Sequence, residues 1–139
     1  MDISRFKHQH VEILEGIDKL RQLSRAGVKD NAKAIAARLN ALSQVIIQHL
    51  AIEDRILYPR LERGQDQDLV ELSRRFRTEM ADVANPFINF SRKWEKAAAV
   101  AAKPEEFRKE ANTVLRRVYE RMRQEDREFY PVIEAADFA

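Results

Sequence analysis

Histidine and glutamate, two residue types that bind transition metals, stand together in the stretch His49-Leu-Ala-Ile-Glu53, which Tyr58-Pro59 follows closely. A step of four residues along an α-helix turns a side chain by about 400°, so His49 and Glu53 point the same way, one turn apart. Imidazole and carboxylate donors together suit iron, zinc or manganese. The spacing therefore predicts two ligands of a metal site on one helix face.

A second stretch, residues 121–134, repeats the first one further along the chain. Both copies contain Glu-Asp-Arg, then two variable residues, Tyr-Pro, two more variable residues and Glu. The repeat supplies another carboxylate, Glu125, but it has Arg121 where the first copy has His49. Because a guanidinium group does not lose its proton in proteins, Arg121 brings a permanent positive charge to this position.

The elements that position these residues are predicted from apolar residues spaced three and four apart, which indicate long amphipathic helices. Few Gly and Pro and abundant Ala, Leu, Glu and Arg also favour helix. The predicted helices run from Asp2 or Ser4 to about Arg25, from after Asp30 to about Arg63, from Asp66 or Asp68 to Trp94, and from Pro104 to beyond Phe129. Whether Ala97–Ala102 is helical is left open.

Four such helices with short connections predict an all-α fold, namely an antiparallel up-down four-helix bundle. The repeat adds internal pseudo-two-fold symmetry, and residues 1–139 have the length of a single domain. Pro59 is expected to kink the second helix, because proline lacks the N–H that the helix needs. Tyr58 and Tyr130 are expected to pack in the bundle with their hydroxyl groups at its surface, and the alternative is that either one hydrogen-bonds a core carboxylate.

Ionisable residues occupy five positions on the stripes that the pattern predicts to be buried: His10, His49, Glu53, Arg121 and Glu125. Burial of an isolated charge costs more than the net stability of a domain, so these groups have to be paired or bound to a metal. His8 is rotated by about 200° from His10 and is predicted to face solvent.

At these residues the chain resembles the hemerythrin family, in its bacterial branch known as the HHE cation-binding domain. The matching segments are His10-xxx-Leu14, His49-xxx-Glu53, Leu57-Tyr58-Pro59, Glu125 and Phe129-Tyr130-Pro131. The resemblance implies a helical bundle around a non-haem di-iron centre, bridged by two carboxylates and otherwise held by histidines. It also implies a protein that carries or senses oxygen, responds to nitric oxide or redox state, or stores iron.

The ligand set that the resemblance implies is incomplete in this sequence. Glu53 and Glu125 would be the bridging carboxylates, and His10 and His49 are two of the five histidines. The remaining histidine positions are occupied by Phe76, Met80 and Arg121. These three positions belong mainly to one iron, so a complete di-iron centre is not expected.

Two arrangements of the core remain open. In the first, one metal ion, expected to be iron, is bound by His10, His49, Glu53 and Glu125, while Arg121 turns outward or pairs with a carboxylate. In the second no metal is bound, and the Arg121 guanidinium bridges Glu53 and Glu125. Charge counting favours the second arrangement, because one Arg against two Glu leaves a single negative charge that one protonated His cancels.

Composition narrows the class of protein. The formal net charge is only +2 although 35% of the residues are charged, so acids and bases are interspersed and a nucleic-acid partner is not expected. The absence of Cys excludes disulfides, thiolate metal sites and cysteine nucleophiles. The sequence shows neither a signal peptide nor an apolar run of roughly 20 residues, which predicts a cytoplasmic protein without a membrane partner.

The functional prediction is a hemerythrin-like sensing or regulatory module that is not an enzyme. It would act through a small ligand such as oxygen at a metal, or through a protein partner. The alternative is a functional non-haem iron protein that binds or senses oxygen, nitric oxide or redox state.

Overall fold

The structure is a computed structural model, and it describes residues 2–136. This part of the chain is helical, with short turns and no strand. The α-helical segments are Ser4–Ala26 (α1), Ala32–Ile52 (α2), Tyr58–Glu62 (α3), Gln67–Lys93 (α4), Ala97–Ala102 (α5), Pro104–Gln124 (α6) and Tyr130–Ala136 (α7). The predicted all-α class is confirmed, and the alanine-rich stretch that was left open forms the short helix α5.

The ends of the long helices follow local sequence signals. The Asp66 side chain caps α4, where its Oδ1 accepts hydrogen bonds from the backbone N–H groups of Asp68 at 3.1 Å and Leu69 at 3.2 Å. Helix α6 begins at Pro104, which needs no hydrogen-bond donor at this position. Gly27 ends α1 with a φ of 128°, a conformation that residues with a Cβ rarely adopt.

Two π-helical segments interrupt helices that the apolar pattern predicted to be continuous. They are Glu53–Leu57, between α2 and α3, and Glu125–Phe129, between α6 and α7. In the first, the Tyr58 N–H bonds to the carbonyl of Glu53, five residues back, immediately before Pro59. Proline cannot donate to the turn that precedes it, so the Tyr-Pro dipeptide coincides with a widened turn in both copies. The kink expected at Pro59 is therefore a π turn.

The apolar core is divided into two clusters. One surrounds Ile17, Phe87 and Phe107, and the other surrounds Phe6 and Phe129. Helix α1 packs on α2 and α6, and α4 packs on α6. The buried ionisable residues lie along these helices between the two clusters, so apolar side chains separate them from solvent on both sides.

Residues 32–62 form a helical stretch that is long and apolar enough to cross a membrane by length and composition alone. This finding is weak evidence, because a core helix of a bundle passes the same test. The stretch also contains Glu53, whose side chain lies inside the fold. That the chain has no membrane partner stays a prediction.

Candidate metal centre

Four candidate ligands come from four helical segments. His10 lies in α1, His49 lies in the last turn of α2, and Glu53 and Glu125 begin the two π-helical segments. Each of these four residues is exposed by 1% or less. Four ionisable groups buried close together have to neutralise one another's charges or bind a cation.

The ligand atoms converge on a small region between the helices. The two imidazole Nε2 atoms lie 3.0 Å apart. The His10 Nε2 is 2.9 Å from Glu125 Oε1, and the His49 Nε2 is 2.7 Å from Glu53 Oε1. Ligand atoms of His10, His49 and Glu125 all lie within 4.8 Å of one another, and Glu53 joins this group through His49.

Neighbouring side chains determine which nitrogen of each imidazole faces the site. The His10 Nδ1 lies 2.8 Å from Asp126 Oδ1, and the His49 Nδ1 lies 2.7 Å from Gln9 Oε1. Because both partners are oxygen acceptors, each Nδ1 carries the hydrogen and donates it. When both rings are neutral, as metal binding requires, their Nε2 lone pairs are directed into the site, as in histidines that bind metals.

In each of the two glutamates, the Oε2 atom accepts a hydrogen bond from a neighbouring side chain. Glu53 Oε2 accepts a hydrogen bond from the Tyr58 hydroxyl at 3.1 Å, and Glu125 Oε2 accepts one from Arg121 Nε at 3.2 Å. The Oε1 atoms of both glutamates are buried without a hydrogen bond of acceptable geometry, although histidine nitrogens lie close to them. A cation beside both Oε1 atoms, either a protonated imidazole or a metal ion, would compensate these buried acceptors. The residues present therefore fit a bound metal ion.

The two tyrosines of the repeat reach the site instead of the surface. Tyr58 and Tyr130 are almost fully buried, and the Tyr130 hydroxyl lies 2.9 Å from the His10 Nε2. The prediction that their hydroxyl groups lie at the bundle surface was wrong, and the alternative of a hydrogen bond to a core carboxylate is confirmed for Tyr58, which donates to Glu53 Oε2. Each of these tyrosines directly follows a π-helical segment.

Arg121 pairs with one carboxylate and turns away from the other. Its Nη2 donates to the backbone carbonyl of Phe76 at 2.6 Å, and its Nη1 lies 3.6 Å from Glu79 Oε2. The guanidinium carbon is 4.5 Å from the centre of the Phe76 ring. Among the residues described, Arg121 makes an ion pair with Glu125 but not with Glu53. The hypothesis of a guanidinium that bridges both glutamates was therefore wrong, because the Phe76 carbonyl draws it towards α4.

The positions that would hold a second iron are filled by other groups. Phe76 is fully buried and stacks on Phe129 with ring centroids 4.5 Å apart. Met80 is 6% exposed and packs in the neighbouring apolar cluster. With Arg121 beside them, these side chains supply a positive charge and apolar surface where metal donors would be needed. None of these three side chains offers an imidazole or a carboxylate to a metal.

The buried charged groups change one another's pKa values. Burial would lower the pKa of His49, but the carboxylates of Glu125 and Glu53 outweigh it and raise that pKa to about 9. Burial and the nearby Glu125 charge raise the pKa of Glu53. Burial would also raise the pKa of Glu125, but His10, His49 and Arg121 lower it. Without a metal, a protonated His49 balances the remaining negative charge at neutral pH.

Sequence reasoning missed the residues that support the ligands from behind. Gln9 and Asp126 orient the imidazoles, and the Phe76 carbonyl and Glu79 hold the guanidinium. Gln9 and Asp126 stand next to His10 and Glu125 in sequence, which was a usable signal. Gln9 is also 8% exposed, an unusual burial for an amide side chain in a helix. His8 is exposed as predicted and pairs with Glu12.

The family described as the hemerythrin HHE cation-binding domain matches residues 1–133. No curated protein and no solved structure shows significant similarity to the chain.

Proposed function

The chain belongs to the hemerythrin HHE cation-binding family, and we propose that it binds one metal ion through His10, His49, Glu53 and Glu125. One observation carries this proposal: both imidazoles present Nε2 to the same point, where the Oε1 atoms of Glu53 and Glu125 also lie. Neutral nitrogen and anionic oxygen donors suit ferrous iron, with manganese and zinc as competitors. The site is thus a degenerate form of the family's di-iron centre.

Some residues would bind the ion directly, and others would orient those ligands. His10 and His49 would contribute Nε2, while Asp126 and Gln9 keep the rings in the required tautomer. Glu53 and Glu125 would contribute the Oε1 atoms that lack hydrogen bonds. When bound at such a site, ferrous iron supplies reversible interaction with oxygen or nitric oxide and one-electron redox chemistry.

We further propose that the domain is a sensing or regulatory module and not an enzyme. Support comes from the position of the two carboxylates, because each begins a π-helical segment. Occupancy of the site would act on those two irregular turns and through them on α3 and α7. Such a change could be recognised by a protein partner. The proposal places the domain in the cytoplasm and includes neither a nucleic-acid nor a membrane partner.

The proposal includes a finer description of the fold. We take residues 1–139 as one domain in which the long helices form an antiparallel four-helix bundle with pseudo-two-fold symmetry. Support comes from the two π-helical segments, which follow the repeated Glu-Asp-Arg pattern and precede Tyr-Pro in both halves. Measured residual dipolar couplings for α1, α2, α4 and α6 would test the antiparallel order of these helices.

Metal analysis tests the function directly. Protein produced with iron supplied and purified without oxygen should contain close to one iron per chain. A content below about a tenth of an equivalent, with no uptake of Mn²⁺ or Zn²⁺ in a titration, would rule out the metal site. In that case the metal-free core with a protonated His49 would be the functional form, and the domain would act through a protein partner alone.

A further inference from the structure

We propose that Arg121 determines the specificity of the site: its fixed charge limits the site to one divalent ion and favours Fe(II) over Fe(III). This inference rests on the proposed metal site and adds a role for a residue that is not one of its ligands. It also gives a physical reason for the loss of the second iron. Arg121 is a positioning and charge-setting residue, since it acts on the ion through Glu125.

The guanidinium is held in place by groups on two helices. It donates to Glu125 Oε2 within its own chain segment and to the Phe76 carbonyl of α4, and it lies against the Phe76 ring. Arg121 is 3% exposed, so little water is available to screen its charge. Glu79 is the only other carboxylate paired with it among the described residues, and that side chain is 47% exposed. The positive charge therefore stays at the site.

Glu125 connects this charge to the ion. Arg121 Nε donates to Oε2, while Oε1 faces the site and lies 2.9 Å from the His10 Nε2. One carboxylate is thereby shared between a permanent organic cation and the proposed metal. Because Oε2 is already occupied, Glu125 is not available to bridge two metals in the way the family's di-iron centre requires.

A count of charges shows which ion the site accepts. The groups that face it are Glu53 from the first π-helical segment, Glu125 and Asp126 from the second, and Arg121 from α6. The two buried carboxylates and the guanidinium leave one net negative charge, and the partly exposed Asp126 behind His10 adds a second. One divalent ion neutralises these two charges when the histidines are neutral. A trivalent ion or a second divalent ion would leave uncompensated positive charge in the core, which is costly. Without Arg121 the balance would move by one charge towards the trivalent ion.

The reduction potential of the iron-loaded protein measures this preference, because it reports the ratio of Fe(III) to Fe(II) affinity. The variants are Arg121→Gln, which keeps hydrogen-bond donors but removes the charge, and Arg121→Lys, which keeps the charge. Arg117→Gln makes the same change of charge at an exposed position of α6. Circular dichroism melts verify that each variant is folded, and metal analysis gives the iron content.

We expect Arg121→Gln to raise the Fe(III) to Fe(II) affinity ratio at least about tenfold, a downward shift of about 59 mV or more. The reduction potentials of Arg121→Lys and Arg117→Gln should differ from that of the wild type by only a small fraction of that shift. An unchanged potential in Arg121→Gln would overturn the inference while leaving the metal site intact. An equal shift in Arg117→Gln would also overturn it, because the effect would then come from net charge alone.

The wild-type chain gives a test that requires no variant. A titration with excess Fe(II) or Zn²⁺ should saturate at one ion per chain. Saturation at two ions would overturn the role of Arg121 but support metal binding. Failure to bind any ion would instead reject the proposed function, and the inference with it, so the two failures are distinguishable.

Discussion

The Nε2 atoms of His10 and His49 lie 3.0 Å apart, and each ring donates its Nδ1 hydrogen to an oxygen behind it. Two neutral rings in this arrangement would direct their lone pairs at each other. The Tyr130 hydroxyl can donate to the His10 Nε2, but the close contact between the two nitrogens becomes favourable when a cation lies between or beside them. That cation is a proton in the metal-free protein and a metal ion in the proposed loaded form, so the two compete for one place.

Removal of an imidazole should abolish metal binding. We expect His49→Ala to lower Fe(II) or Zn²⁺ affinity by more than about 100-fold, because it deletes a ligand rather than a supporting group. His8→Ala is the matched control, since His8 lies on the surface and pairs only with Glu12 among the described residues. Isothermal titration calorimetry measures both affinities. Equal affinity in the two variants would contradict the ligand assignment.

The residues that accept the Nδ1 hydrogens of the imidazoles should affect metal affinity less than the ligands do, but more than surface residues do. Asp126→Ala removes the acceptor of the His10 Nδ1 hydrogen and should weaken metal binding by about 10- to 100-fold. Asp54→Ala is the control, because Asp54 occupies the corresponding position of the first repeat and is exposed. Competition with a chromophoric chelator measures the difference. If the two variants weakened binding alike, Asp126 would have no special role at His10.

The metal-free protein should lose stability as the pH rises above neutral. The pKa of His49 is raised from 6.5 to about 9 by Glu125 and Glu53 against the effect of burial. A raised pKa in the folded state contributes stability that is complete below pH 6.5 and is lost as the pH rises through about 9. The loss should be on the order of 3 kcal/mol or less. Urea unfolding in the presence of a chelator, at pH values across this interval, measures it.

The control for this pH effect is His49→Gln, which keeps a polar side chain but cannot titrate. We expect its unfolding free energy to depend less on pH over the same interval than that of the wild type. Parallel pH profiles for the two proteins would show that the loss arises elsewhere in the chain.

The two glutamates should differ in their effect on stability without metal. Glu125→Ala removes the carboxylate that pairs with the buried Arg121 and should destabilise the fold by about 3 kcal/mol. Glu53→Ala should cost less, since burial and the Glu125 charge already raise the pKa of Glu53 and disfavour its ionised form. Chemical denaturation of both variants compares them. A larger loss for Glu53→Ala would contradict this order and mean that the contacts of Glu53 with His49 and Tyr58 contribute more than the Glu125–Arg121 pair.

Much of the candidate site follows from periodicity. The positions of His10, His49, Glu53 and Glu125 on apolar stripes predicted that all four would be buried, and each is. The stripes succeed because side chains three and four residues apart share a helix face whatever the neighbouring helix is. The π turns were not predictable in the same way. Each π turn shifts the helical register by one residue. A pattern of apolar residues spaced three and four apart does not reveal such a shift.

The sequence by itself determined that the chain is helical, that ionisable side chains enter its core, and that Arg121 stands where the first repeat has His49. Only the tertiary structure decided where the Arg121 guanidinium points. Its closest hydrogen-bond partner is the carbonyl of Phe76, which is 45 residues away and, as a backbone group, has no signature in the sequence. The same holds for the hydroxyl groups of Tyr58 and Tyr130. A flexible side chain goes to the partner that packing brings near, and helix periodicity specifies faces but not distances between helices.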